Sequence, residues 1–121
     1  MKRSITIILI CLSSITLSKG QTWQLHQQRS NLELSDLHFI NTSTGFVFGD
    51  SAISGAMITG VVLKTPDGRT TWTAYTLGNP NYRTAKAHIL NANEIFSAGR
   101  NGVGNTGLFI KSIDGGWSWQ N

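Results

Sequence analysis

Thr65-Pro66-Asp67-Gly68-Arg69-Thr70-Thr71-Trp72 returns 47 residues later as Ser112-Ile113-Asp114-Gly115-Gly116-Trp117-Ser118-Trp119. A hydroxyl residue (Thr65, Ser112), an Asp, a Gly (Gly68, Gly115), a second hydroxyl residue (Thr71, Ser118) and a closing Trp stand at matching positions. Self-similarity at a fixed period of this size marks stacked structural units. The residue types suit a tight turn between strands. An Asp carboxylate and a Ser or Thr hydroxyl accept hydrogen bonds from turn N–H groups. Gly115 and Gly116 tolerate positive φ without a Cβ clash. Trp72 and Trp119 start the next strand and offer large rings for packing between sheets. On this reading Asp67 and Asp114 are turn architecture; the alternative is a pair of reactive carboxylates. Arg69 stands where the second copy has Gly116, so the first turn is either distorted or holds Arg69 in the left-handed region at a cost.

The repetition extends outward from the turn. Leu37-His38-Phe39-Ile40-Asn41 matches Ala87-His88-Ile89-Leu90-Asn91 in character, and Gly45 to Asp50 matches Ile95 to Arg100 more loosely. Gly60 to Thr65 matches Gly107 to Ser112 well. Short apolar runs alternate with Gly/Asn/Ser/Asp clusters, and no helical stripe of useful length interrupts them. Strands are expected at 22–27, 35–40, 45–49, 60–65, 72–77, 84–90, 94–98 and 107–112. Such spacing predicts an all-β repeat.

These two copies resemble Asp-box (BNR) repeats of β-propellers, similar to photosystem II stability/assembly factor-like, sortilin-type and sialidase propellers. The resemblance implies a partial β-propeller of about two four-stranded antiparallel blades. Residues 21–34 then form the N-terminal strand of a closing blade, 35–77 a blade, and 78–121 an incomplete second blade. Trp23 carries the pairing that follows a box but has no box before it. Propellers hold roughly four to eight blades, and fewer than about three repeats rarely suffice alone. The expectation is therefore a fragment, completed by missing blades or by self-association.

The chain has 121 residues, about one small domain. Met1-Lys2-Arg3, the apolar run around Ile5 to Leu12, and Ser18-Lys19-Gly20 have the layout of a secretory signal peptide over residues 1–20. The apolar run is shorter than the roughly 20 residues of a membrane span; a retained anchor is the alternative. The implied location is secreted, periplasmic or cell-surface, with no membrane association after cleavage. The formal charge is +4, from ten Lys and Arg against six Asp and Glu. Loss of Lys2, Arg3 and Lys19 leaves seven cations against six, or +1, so the basic balance belongs to targeting. No Lys/Arg cluster remains to bind nucleic acid. Cys11 lies in the signal, so the mature chain holds no cysteine and cannot use a disulfide.

Candidate chemistry is sparse. His26, His38 and His88 are scattered without a close ligand pair, so no metal and no cofactor is expected. Asn41-Thr42-Ser43 fits a glycosylation sequon and equally a turn. The sialidase resemblance implies arginines for a substrate carboxylate, a Tyr/Glu pair and an Asp acid. Arg29, Arg69, Arg83, Arg100, Tyr75, Tyr82, Glu33, Glu94, Asp36 and Asp50 supply the residue types but not the spacing. Asp50 and Arg100 follow a Gly at equivalent strand ends and are expected on neighbouring loops of one face. With Tyr82 and Arg83, placed on the inter-blade loop, they form the candidate binding residues; the alternative is ordinary solvated loop charges. The expected function is non-enzymatic binding or assembly with a protein or glycan partner. Part of a sialidase-like glycoside hydrolase is the alternative.

Overall fold

A computed structural model describes residues 31–53, 57–68 and 70–121, apart from the side chains of Ile53 and Met57. Trp23, Arg69 and the segment expected to direct export lie outside these residues.

Among the described residues seven strands follow one another: β1 (Leu32–Phe39), β2 (Gly45–Ile53), β3 (Met57–Thr65), β4 (Thr73–Thr76), β5 (Tyr82–Ile89), β6 (Ile95–Asn101) and β7 (Thr106–Ser112). The order is β1-β2-β3-β4 in one antiparallel sheet and β5-β6-β7 in the other. The chain is thus all-β among its described residues, and neither sheet closes on itself. The second sheet has three strands rather than four. Its fourth position is reduced to an isolated bridge between Lys111 and Gln120.

The internal repeat survives as register. Glu33 faces Asp50 and His38 faces Phe46 across β1 and β2. Arg83 faces Arg100 and His88 faces Phe96 across β5 and β6, each 50 residues on. Phe46 faces Lys64 as Phe96 faces Lys111. The first strand of each sheet, β1 and β5, is bulged at the same place, Leu34/Asp36 and Thr84/Lys86. A bulge leaves one residue out of the ladder and re-aims its neighbours. The turns repeat as well. Asn41 Oδ1 accepts from the N–H groups of Ser43 and Thr44, as Asn91 Oδ1 accepts from those of Asn93 and Glu94.

Period-2 alternation decides which face is buried. Phe46, Phe48 and Val62 share the face of the first sheet that meets the second, and all are fully buried. Ile95, Leu108 and Ile110 answer them from the second sheet, with Leu77 between and Ala87, Ile89 and Tyr82 at the margin. Strand β5 lies against β1, β2 and β3 and so forms the joint between the sheets. Trp72 is not buried there. It stays half-exposed, edge-on to Phe39 of its own sheet at 6.3 Å. Trp119 does pack against the core, and its Nε1–H donates to the Gly116 carbonyl at 3.2 Å.

Candidate functional site

The repeated turn is a closed hydrogen-bond system. Asp114 Oδ1 accepts from the N–H groups of Trp117 (3.0 Å) and Ser118 (2.9 Å) and from Ser112 Oγ (2.8 Å). Its Oδ2 accepts from Ser118 Oγ. Asp67 is held alike by Thr65 Oγ1, the N–H groups of Thr70 and Thr71, and Thr71 Oγ1. Gly68, Gly115 and Gly116 have φ of 75°, 77° and 94°, the region where a Cβ would clash. The Ser118 hydroxyl, followed by the Ser118 N–H and the Ser112 hydroxyl, draws the Asp114 carboxyl down from its ordinary 3.8 to about 2. A carboxylate so occupied has little basicity left for proton transfer.

A second pair of carboxylates works across the joint. Asp50 Oδ1 accepts from the N–H of Thr84 (3.1 Å), and Asp36 Oδ2 from that of Ala87 (2.9 Å). The two residues stand either side of the β5 bulge, on the edge of the second sheet that faces the first. Thr84 Oγ1 adds a buried bond to the Gly49 carbonyl at 3.1 Å. Lys64 Nζ reaches the Gly115 carbonyl at 3.5 Å, so the second sheet's turn is held too. Burial acts to raise the Asp36 carboxyl. The Ala87 N–H and His38, whose Nε2 lies 3.2 Å away, outweigh it and hold the group below the ordinary carboxylate range. Burial prevails at Asp50 and raises its carboxyl, against the Thr84 N–H and the field of Arg83.

Between the two sheets, beside β1 and β5, runs a cleft of about 570 Å³ whose lining includes Glu33, Ser35, Asp50, Arg83, Thr84 and Arg100. Glu33 and Asp50 are a like-charge pair across one ladder, Arg83 and Arg100 across the other. Such pairs destabilise their own sheets. Among the described residues no ion pair within 4.0 Å joins the acidic pair to the basic one. Arg83 Nε is buried without a hydrogen-bond partner among them, and Arg100 donates to Asn105 Oδ1 at 3.1 Å.

Three of the four expected binding residues therefore converge, though not as loop residues. Asp50 lies in β2, Arg83 in β5 and Arg100 in β6. The loops were misplaced because each strand outlasts its apolar run, carried by backbone pairing that polar residues share. Tyr82 also sits in β5 and packs against the core, outside the cleft lining. Glu33 was overlooked as a binding residue; the shared offset of 50 linking Glu33 to Arg83 and Asp50 to Arg100 was the signal. Among the described residues no group of three or more His, Cys, Asp or Glu could hold a metal ion.

No protein-family model matches this chain, and no curated protein or solved structure matches it.

Proposed function

We propose that this chain is an exported, non-enzymatic binding or assembly module built on Asp-box propeller repeats. One observation carries the reading. The turn aspartates are saturated by their own turns, whereas Glu33, Asp50, Arg83 and Arg100 meet in one cleft without pairing with one another. Charged groups held apart in a concave site are suited to recognising a partner's charges. The partner is a protein or glycan carrying acidic groups for the two guanidinium forks. The propeller reading draws on the recurrence of the turn, the bulge and the register at fixed offsets. Export rests on the layout of residues 1–20.

The test is a side-chain NMR titration of Arg83 and Arg100 Nε–Hε signals with acidic oligosaccharides and acidic peptides. At least one class should shift both signals, and Arg83→Gln with Arg100→Gln should abolish that binding while leaving the fold intact. Absence of any shift would overturn the reading. So would turnover of a fluorogenic sialoside that disappears in Asp50→Asn, which would assign a glycoside hydrolase instead.

A further inference from the structure

The joint between the two sheets shows how this chain covers a sheet face, and the second sheet carries an equivalent face that is open. Phe46 and Val62, buried in the joint, correspond by register to Phe96 and Phe109. Phe109 is 64% exposed and stacks on Phe96 at 6.0 Å. Lys64 over the Phe46 ring is reproduced by Lys111 over the Phe96 ring, at 5.3 and 5.1 Å. His88, Ala98 and Arg100 share this face and are exposed. The first sheet is docked through one ring under a cation with an aliphatic neighbour, Phe46 with Val62; on the second the equivalent site is two stacked rings under a cation, with Phe109 exposed.

The surface that would cover it is present on the opposite side of the same chain. In the joint the covering strand is β5, through Ala87 and Ile89. Their counterparts on β1 are Leu37 and Phe39, which are 57% and 47% exposed. The charges agree with the exchange. The joint sets Asp50 in the field of Arg83. At the open face the counterpart of Asp50 is Arg100, and on β1 the counterpart of Arg83 is Glu33. Both signs are inverted together, so attraction is preserved. The Asp36 counterpart, Lys86, could not accept a hydrogen bond from a bulge N–H. On β1 none is required there, because Leu37 N–H already donates to Asp36 Oδ1 at 3.1 Å.

We propose that a second copy of this chain docks head to tail, its β1 face (Leu37, Phe39, Glu33) on the open face of the second sheet (Phe96, Phe109, Arg100). The contact joins two different surfaces, so it is heterologous and each added copy presents a fresh docking face. It shares Glu33 and Arg100 with the intersheet cleft, and its test reads assembly of the chain rather than binding of an acidic partner.

Head and tail can be blocked separately, because Phe109 and Leu37 are exposed and their replacement spares the core. Phe109→Glu places a charge in the head contact and Leu37→Glu in the tail contact, each weakening association about tenfold or more. Sedimentation of the full wild-type chain should show mass growing with concentration past the dimer. Each variant alone should stay monomeric over that range, and an equimolar mixture should form a one-to-one dimer that grows no further. A wild-type chain that remains monomeric would overturn the proposal, since the face is then covered by another segment or another partner. Variants that assemble like wild type, or a mixture that stays monomeric, would overturn it equally.

Discussion

The hydroxyl of Thr84 donates to the carbonyl oxygen of Gly49 at 3.1 Å, a buried hydrogen bond between residues 35 apart in sequence and on different sheets. It sits beside the bond from the Thr84 N–H to Asp50, so one residue of the β5 bulge ties both its polar groups to the first sheet. Thr84→Val keeps the volume and removes the hydroxyl, costing about 1–3 kcal/mol of stability. Urea unfolding followed by tryptophan fluorescence measures it. A midpoint equal to wild type would show that the joint does not depend on this bond.

The Asp114 carboxyl, drawn down to about 2 in the folded chain, links stability to pH. A carboxyl whose folded value lies below its unfolded one adds stability above the unfolded value and loses it as pH falls through the folded value. The melting temperature of wild type should therefore fall between about pH 4 and pH 2. Asp114→Asn cannot accept the Ser118 hydroxyl through its amide nitrogen and has no charge to titrate. Its melting temperature should start lower at pH 7 and fall less across that window. Parallel curves for the two proteins would contradict the assignment.

Gly49 and Gly99 are equivalent strand residues opposite the two bulges, and a Cβ on either would strike backbone: the Glu33 carbonyl oxygen and the Arg83 carbonyl oxygen respectively. Backbone cannot swing aside as a side-chain end can. Gly99→Ala should cost about 1–3 kcal/mol through overpacking. Gly107, two strand positions from Phe109, has nothing within 4 Å of such a Cβ. Gly107→Ala should stay within about 0.5 kcal/mol of wild type. Chemical denaturation of both separates the two environments.

Phe46, in β2, and Trp72, just before β4, differ in burial although both are large aromatics. Phe46 is fully buried in the joint, and Phe46→Ala should cost about 3–5 kcal/mol. Trp72 is half-exposed and contacts Phe39 edge-on, so Trp72→Ala should cost only about 1–2 kcal/mol. Comparable losses would mean that the closing Trp is buried between sheets after all.

Trp72 also marks where sequence reading stops. Its place at the end of the repeated turn was legible because turn chemistry is local: Asp67 and Asp114 bond within four residues, and Gly115 and Gly116 need their φ wherever the turn lies. Strand order and the all-β class were legible for the same reason, through alternation and turn residues at short range. Burial of its ring was not, because the closing residue's neighbour across the sheet is Phe39, 33 positions earlier. Arg83 and Arg100 looked like loop charges for a related reason. Polar residues extend a strand when a partner strand supplies the hydrogen bonds, and no local pattern records that.

The amino-acid sequence by itself determined the repeat, its turns and the strands between them, since each depends on contacts only a few residues long. The tertiary structure decided the joint. Edge strand β5 turns the N–H groups of Thr84 and Ala87 toward the first sheet, and carboxylates 34 and 51 residues away accept them. That pairing gives Asp36 and Asp50 a structural role that their counterparts Lys86 and Arg100 cannot repeat. The same two positions thus clamp one sheet face through backbone hydrogen bonds and carry only charge on the other, because a carboxylate accepts a backbone hydrogen bond and a cation does not.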